Sequence, residues 1–227
     1  MMCRVAPQAV TMTVDDVRNV SGLLQVPQRA RACCVLAHGA GAGMTHAFMA
    51  AVADGLGARD VATLRYQFPY MERGSRRPDA PGLAHATVRA AFAAAARLTP
   101  ALPLFAGGKS FGARMTSQAQ ACAPLPDVRG LVFFGFPLHP AGRPSTDRAQ
   151  HWFDVHVPML FLQGTRDALA DLRLLVPLVE QLGPDATLSL AADGDHSFHV
   201  RARSGRTDEQ ALGEALATLV GWIEKLL

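Results

Sequence analysis

Leu102-Pro103-Leu104-Phe105-Ala106-Gly107-Gly108-Lys109-Ser110-Phe111-Gly112-Ala113 is the stretch whose reading decides the fold. Residues 102–106 are a short apolar run of strand character, and Gly107-Gly108 breaks it sharply. A helical pattern opens at about Ala113 and runs to about Ala121. Between the two lies Gly-x-Ser-x-Gly, residues 108–112. A serine at a tight strand-to-helix turn projects its hydroxyl above the edge of a sheet. Small residues two before and two after it let the chain turn without Cβ clashes. The helix that follows aims its positive end at the same spot, where it favours developing negative charge. Five residues alone fit a glycine-rich turn or a phosphate-binding loop equally well. A Walker-type phosphate loop is excluded, because the glycine required five residues before Gly-Lys-Ser is missing.

Working outward, short apolar runs alternate with longer helical segments. Thr13 to Val17 and Val20 to Val26 read as two early strands, with a bulge or turn at Ser21-Gly22. Ala32 to Ala37 is a continuous apolar run, as expected of a strand buried on both faces. Thr45 is placed to cap a helix to about Leu56, closed by Gly57. A strand at Val61 to Tyr66 precedes a loop from Gln67 to Pro81 and an alanine-rich helix from Ala84 to Leu98. Further strands follow at Val128 to Gly135, Val157 to Gln163 and Thr187 to Ala191. A helix spans Leu169 to Leu182, and Thr207 caps a final one over Asp208 to Leu227. Strands separated by helices of this length imply parallel crossovers with helices on both faces. The two early strands have no helix between them and read as an antiparallel edge. No repeat, low-complexity tract or linker divides the chain, so a single domain over residues 1–227 is expected.

Two later loops offer partners for Ser110. Asp167 closes Gln163-Gly164-Thr165-Arg166-Asp167, directly after a strand, where an acid can reach a histidine from a neighbouring loop. The competing readings are a helix-capping role for Asp167 and Asp171 as the acid instead. His196, in Asp193-Gly194-Asp195-His196-Ser197-Phe198, stands beyond the carboxyl end of the last strand, where ligands gather in open α/β sheets; a plain surface histidine is the alternative. The conjunction outweighs each piece: serine, acid and histidine come in that order, each just after an expected strand. Asp167 would then fix the His196 tautomer, and His196 would take the Ser110 proton and return it to a leaving group.

Such chemistry needs two backbone N–H donors aimed at an oxyanion. Phe111, next after the serine, is one candidate. Ala40 is the other, in His38-Gly39-Ala40-Gly41-Ala42-Gly43 after the strand ending at Ala37. A dinucleotide fingerprint is the rival reading of these glycines, but the third glycine is misplaced and no acidic residue ends the next strand. His46, Tyr66, Tyr70 and His139 are candidate substrate-pocket residues, with Arg65, Glu72, Arg73 and Arg166 near the same sheet edge. Loop packing and surface ion pairs compete for all of these, and His46 also stands where a helix begins. Lys109 is expected to point away from the serine.

The bulk numbers bound the rest. The chain has 227 residues, 49% hydrophobic and 18% charged, with a net charge of +3. A chain this long buries roughly 70–75% of its unfolded surface and needs no disulfide or metal to hold a core. Its basic residues are scattered, Arg76-Arg77 being the densest pair, so no nucleic-acid partner is expected. Cys3, Cys33, Cys34 and Cys122 show no metal or redox spacing and read as buried, reduced thiols of a cytoplasmic protein. No signal-peptide pattern opens the chain, and no stretch reaches the ~18 apolar residues of a membrane span. No metal or cofactor is expected, and the oligomeric state is left open.

With these residues in place, the chain resembles the α/β-hydrolase superfamily, and within it the dienelactone-hydrolase-like branch that includes KANL/Tex-type proteins. The resembling segments are His38 to Gly43 with Met44, His46 and Phe48; Arg65 to Glu72; Gly107 to Ser110; Gly135 to Pro140; Phe161 to Asp167; and Asp195 to Phe198. The resemblance implies an α/β fold with a mostly parallel twisted sheet of about eight strands and the triad Ser110, Asp167 and His196. Dienelactone hydrolases proper use a cysteine nucleophile where this chain has Ser110, so dienelactone itself is not implied. Only about 20 residues separate Pro137 from Val157, too few for a full helical cap, so an open site for small or soluble acyl substrates is expected. The leading reading is a serine hydrolase of a carboxylic ester or related acyl bond. Acyl transfer or thioester cleavage by the same residues stays open beside it. So does a non-catalytic binding or scaffold protein that keeps the α/β-hydrolase fold.

Overall fold

The computed structural model describes residues 5–227. Its strands are β1 (Gln8–Asp15), β2 (Arg18–Gln25), β3 (Ala32–Ala37), β4 (Val61–Tyr66), β5 (Leu104–Lys109), β6 (Val128–Phe134), β7 (Met159–Gly164) and β8 (Ala186–Ala191). They form one sheet in the order β1-β2-β4-β3-β5-β6-β7-β8. β1 and β2 pair antiparallel and β2 runs antiparallel to β4, whereas all later neighbours are parallel. Between and after the strands lie α1 (Ala47–Gly57), α2 (Pro69–Glu72), α3 (Pro81–Leu98), α4 (Phe111–Cys122), α5 (Leu172–Gln181) and α6 (Asp208–Glu224). This is the expected mostly parallel α/β sheet with an antiparallel edge.

The central strands explain the helices on both faces. Along β3, Cys33, Val35 and Ala37 join the core that holds Val88 and Phe92 of α3 and Met115 of α4. Cys34 and Leu36 join the opposite core, with Met49 and Val52 of α1 and Leu219 and Trp222 of α6. A strand covered on both sides shows no alternation, which is why its sequence is apolar throughout. Each large side chain buried this way stabilises the fold by about 1.5–3 kcal/mol. α6 opens with the expected Thr207 cap: Thr207 Oγ1 accepts the Gln210 N–H at 3.1 Å, and Gln210 Oε1 accepts the Thr207 N–H at 2.8 Å.

Several local expectations are corrected. The first hairpin turns at Asp16-Val17, and Gly22 sits inside β2, where an added Cβ would lie 2.8 Å from Met12 Cε and 2.9 Å from Val10 Cγ2. That glycine serves close packing rather than a turn. β5 runs through Gly107-Gly108 to Lys109 for the same reason. α1 is capped by His46, whose Nδ1 accepts the Phe48 N–H at 3.2 Å, and not by Thr45. Cys33 and Cys34 are buried, and burial pushes the Cys33 thiol up to about 12. Cys122 is exposed, against expectation, and Cys3 lies outside the described residues. Among the described residues no helix is long and apolar enough to cross a membrane.

The topology also locates a crevice. β3 is flanked by β4 on one side and β5 on the other, so the strand order reverses there. In open α/β sheets the loops leaving the carboxyl ends of two such strands diverge and leave room for a ligand. Here those loops are His38–Met44 and the Ser110 turn.

Candidate active site

Glycines make the Ser110 turn possible. A Cβ on Gly108 would stand 2.3 Å from the Ala37 carbonyl oxygen, and one on Gly112 would stand 2.5 Å from it. Real Cβ atoms do not approach backbone this closely, so β5 and α4 can pack on the end of β3 only with glycine at both places. Ser110 itself is the hinge, with φ 53° and ψ −114°. A non-glycine residue at positive φ is strained by about 1–3 kcal/mol and persists only where its surroundings impose it. At the start of α4 no side chain caps the first amides.

The structure brings the three chain-distant residues together. His196 Nε2 lies 2.8 Å from Ser110 Oγ. His196 Nδ1 lies 2.7 Å from Asp167 Oδ2. With Nδ1–H donating to the carboxylate, Nε2 is left as the acceptor facing the hydroxyl. The Asp167 side chain is fully buried, while that of His196 keeps 24% of its surface. A buried carboxylate needs its oxygens satisfied. Asp167 Oδ1 accepts the Leu169 N–H at 2.8 Å, and Oδ2 also accepts from the Gln163 side chain. Asp171, the rival acid, caps α5 instead: it accepts the Arg173 N–H at 2.9 Å and pairs with the Arg173 guanidinium.

The loops carrying His196 and Asp167 are laced to each other. Arg166 N–H donates to Gly194 O at 2.8 Å and Thr165 N–H to Ala191 O at 3.0 Å. Gly164 permits this, since a Cβ there would lie 2.4 Å from Gly194 O. Asp195 Oδ1 folds the histidine loop by accepting the Ser197 and His199 N–H groups at 2.7 and 3.0 Å. Phe198, buried, stacks on Phe48 and meets the edge of Phe134, so the loop is anchored in the core of one sheet face.

The His38–Met44 loop lies beside the serine, the nearest side-chain atom to a Gly39 Cβ including Ser110 Cβ at 3.7 Å. His38 is buried and neutral: desolvation lowers its pKa to about 4. Its Nε2 accepts the Phe68 N–H at 3.1 Å, so Nδ1 carries the proton and donates to Gly39 O at 2.8 Å. Gly41 N–H donates to Tyr70 Oη at 3.2 Å, and Met44 N–H to Gln67 Oε1 at 2.8 Å. Among the described residues, the Ala40 and Phe111 N–H groups donate to no protein acceptor. The sequence expects oxyanion donors at these two residues.

The pocket candidates fare differently. Tyr66 is fully buried at the end of β4. Tyr70 is buried too and spends its hydroxyl on the Gly41 amide. His139 is 3% exposed; its Nε2 accepts the Asp171 N–H at 2.9 Å and its Nδ1 donates to Pro140 O at 2.9 Å. His46 is an exposed helix cap. Tyr66, Tyr70 and His139 are buried among protein partners, whereas His46 is exposed. Sequence reading missed Gln163, whose Oε1 accepts the Phe136 N–H at 2.9 Å while its amide serves Asp167. It also gave no sign that the Lys109 ammonium reaches the His196 carbonyl. Gln163 at the end of an otherwise apolar run, Phe161-Leu162-Gln163, was the available signal. A buried amide at the carboxyl end of a strand needs a partner.

Residues 147–154, between β6 and β7, form a 3-10 stretch packed on α4, with Trp152 4.7 Å by ring centroid from both Phe136 and Phe161. The segment lies down on the flank of the sheet, and Ser110 and His196 keep access to solvent. A concavity of about 990 Å³ lies at the opposite edge, among Phe92, Leu102, Leu104, Pro126 and Val128. Its lining holds no Ser, Cys or His. Among the described residues no group of three or more His, Cys, Asp or Glu is placed to hold a metal.

Residues 30–224 match the model of the alpha/beta hydrolase domain, and the chain belongs to the α/β-hydrolase family. Its fold is dienelactone-hydrolase-like. It is similar to dienelactone hydrolase from Anabaena variabilis, with 21% identity, a TM-score of 0.76 and 98% of this chain covering 99% of that one. It is also similar to XC6422 from Xanthomonas campestris, described as an α/β serine hydrolase without a lid, at 20% identity and TM-score 0.70, covering 94% of this chain and 95% of that one. Est1E from Butyrivibrio proteoclasticus matches at 15% identity and TM-score 0.69, over 94% of this chain and 99% of that one.

Proposed function

We propose that this protein is a serine hydrolase that cleaves a carboxylic ester or a related acyl bond, with Ser110 as nucleophile. One observation carries the reading: the unbroken line Ser110 Oγ, His196 Nε2, His196 Nδ1, Asp167 Oδ2, with links of 2.8 and 2.7 Å. A serine hydroxyl is a weak nucleophile until a base takes its proton. In the first step Ser110 Oγ bonds to the acyl carbon while its proton passes to His196 Nε2. The carbonyl electron pair moves onto oxygen, where the Phe111 and Ala40 N–H groups stabilise it. Collapse breaks the bond to the leaving group, which departs with the proton from His196. Water, deprotonated by His196, then attacks the acyl-serine, and Ser110 leaves with that proton. Asp167 stays ionised, holds the imidazole by its Nδ1–H and stabilises its charged form. Loss of one oxyanion donor in such sites costs about 10²–10³ in turnover.

The solvent access of Ser110 and His196, with no segment folded across them, supports small or soluble acyl substrates over long lipid chains. The lid-free description of the Xanthomonas relative supports the same reading. A fluorophosphonate probe is expected to label the wild-type protein at Ser110, and Ser110→Ala to remove the label. Hydrolysis of short p-nitrophenyl esters, beside matched thioesters and amides, then ranks the bond cleaved. A folded wild-type protein that takes no label and hydrolyses none of them overturns the proposal.

A further inference from the structure

Lys109 is a buried lysine with no obvious reason to be one. It immediately precedes the nucleophile, and a strand residue there is expected to face away from the serine. It is 9% exposed. Its ammonium lies 5.7 Å above the Phe48 ring centroid of α1 and donates to the backbone carbonyl of His196. Gly135, the turn after β6, makes room for this: a Cβ there would fall 2.8 Å from Lys109 Nζ and 3.4 Å from His196 Nδ1. Nζ and the imidazole therefore flank one small space that only a glycine leaves open. Phe48 in turn stacks on Phe198 of the histidine loop.

We infer that Lys109 is a positioning residue for His196: its ammonium moors the histidine loop to the nucleophile strand and sets a fixed positive charge beside the imidazole. The inference rests on the serine-hydrolase reading above and adds a residue to it. The mooring acts on geometry. The loop reaches Ser110 from another strand, and an imidazole displaced by about 1 Å from its productive place can cost 10²-fold in rate. The charge acts on the base. Asp167, on the loop after β7, and Asp195, next to His196, are the carboxylates that act on the Lys109 ammonium, which sits beside the imidazole.

A merely structural lysine would not be placed like this. Burial pushes the Lys109 ammonium down to about 8, against the pull of Asp167 and Asp195. Its folded-state pKa is thus below its unfolded value, so folding disfavours the charged form, which offsets part of what its bond to the His196 carbonyl contributes.

The test compares wild type, Lys109→Met and Lys109→Arg by melting, by fluorophosphonate labelling and by kcat and KM on a p-nitrophenyl ester across pH. Lys109→Met is expected to melt near the parent and to lose about 10–100-fold in kcat with little change in KM. The acid limb of its kcat/KM profile moves up by about one pH unit, since a nearby cation no longer disfavours the imidazolium. Lys109→Arg retains a donor and a charge that does not titrate, so its acid limb stays at the parental pH. A folded Lys109→Met with parental kcat and acid limb overturns the inference. If Lys109→Met fails to fold, an Arg variant whose acid limb also moves overturns it. The His196 imidazole titration, followed by NMR in the same proteins, reads the charge effect without turnover. An unlabelled wild type therefore sinks the hydrolase reading while leaving the Lys109 measurement intact.

Discussion

Gln163 donates its side-chain amide to the same Asp167 oxygen that faces His196. Its other end accepts the Phe136 N–H, and the residue is completely buried. One amide thus fixes the acid's orientation and satisfies a backbone donor beneath the site. Gln163→Leu keeps the volume and removes both bonds. A buried donor left unsatisfied costs about 1–3 kcal/mol, and the carboxylate loses a partner as well. The expected result is a loss of about 2–4 kcal/mol in urea unfolding, with kcat down roughly 10-fold. Unchanged kcat in a folded variant would show that Asp167 is held well enough by Leu169 N–H alone.

The glycines of the Ser110 turn differ sharply from Gly213 of α6. Gly108→Ala and Gly112→Ala place a Cβ 2.3 and 2.5 Å from the Ala37 carbonyl. Backbone cannot yield cheaply, so each should destabilise by more than about 3 kcal/mol or prevent folding. Gly213, inside α6, has nothing within 4 Å of its added Cβ. Gly213→Ala should stabilise by about 0.5–1 kcal/mol through helix propensity alone. Thermal unfolding of the three variants side by side decides it, and equal effects would refute the packing account.

Strain at Ser110 makes a further separation. Alanine at 110 removes the hydroxyl but keeps a Cβ at φ 53°, whereas glycine tolerates that angle. Ser110→Gly should therefore be about 1 kcal/mol more stable than Ser110→Ala, with neither labelled by a fluorophosphonate probe. Calorimetry of both proteins measures the difference. An alanine variant as stable as the glycine one would mean that the turn relaxes once the hydroxyl is gone.

Legibility followed burial. β3 was readable to the residue because a strand covered on both faces is an uninterrupted apolar run with polar chain at each end, and β4 was readable although Thr63 and Arg65 interrupt its apolar residues. β1 and β2 were not, because an edge hairpin alternates weakly and its turn, Asp16-Val17, carries no glycine, while the glycine nearby serves packing. At the site, Ser110, Asp167 and His196 were legible from their order and their places after strands. The roles of His139, Tyr70, Gln163 and Lys109 were not. Tyr70 is set by Gly41, 29 residues away, His139 by Asp171, 32 away, Lys109 by His196, 87 away, and Gln163 by Phe136, 27 away, as well as by Asp167. No local pattern encodes such a partner.

Acid should unfold this protein through its buried histidines before its carboxylates titrate. Burial lowers His38 to about 4, and burial with Arg114 nearby lowers His151 to about 4, each from 6.5. Both are therefore neutral in the fold under conditions where the unfolded chain holds the proton. The unfolded state binds more protons over that interval, so stability rises with pH there. The contribution is complete above about 6.5 and is lost progressively as the pH falls towards 4. Each histidine accounts for on the order of 3 kcal/mol at full span, less for His151, which is partly exposed. His151 sits with Nε2 2.7 Å from Ser117 Oγ between α4 and the 3-10 stretch, away from Ser110. His151→Gln can occupy that place without titrating. Urea unfolding at a series of pH values should give a steep loss below 6.5 for wild type and a shallower one for His151→Gln. Identical slopes would mean that another group, and not the buried imidazole, carries the acid sensitivity.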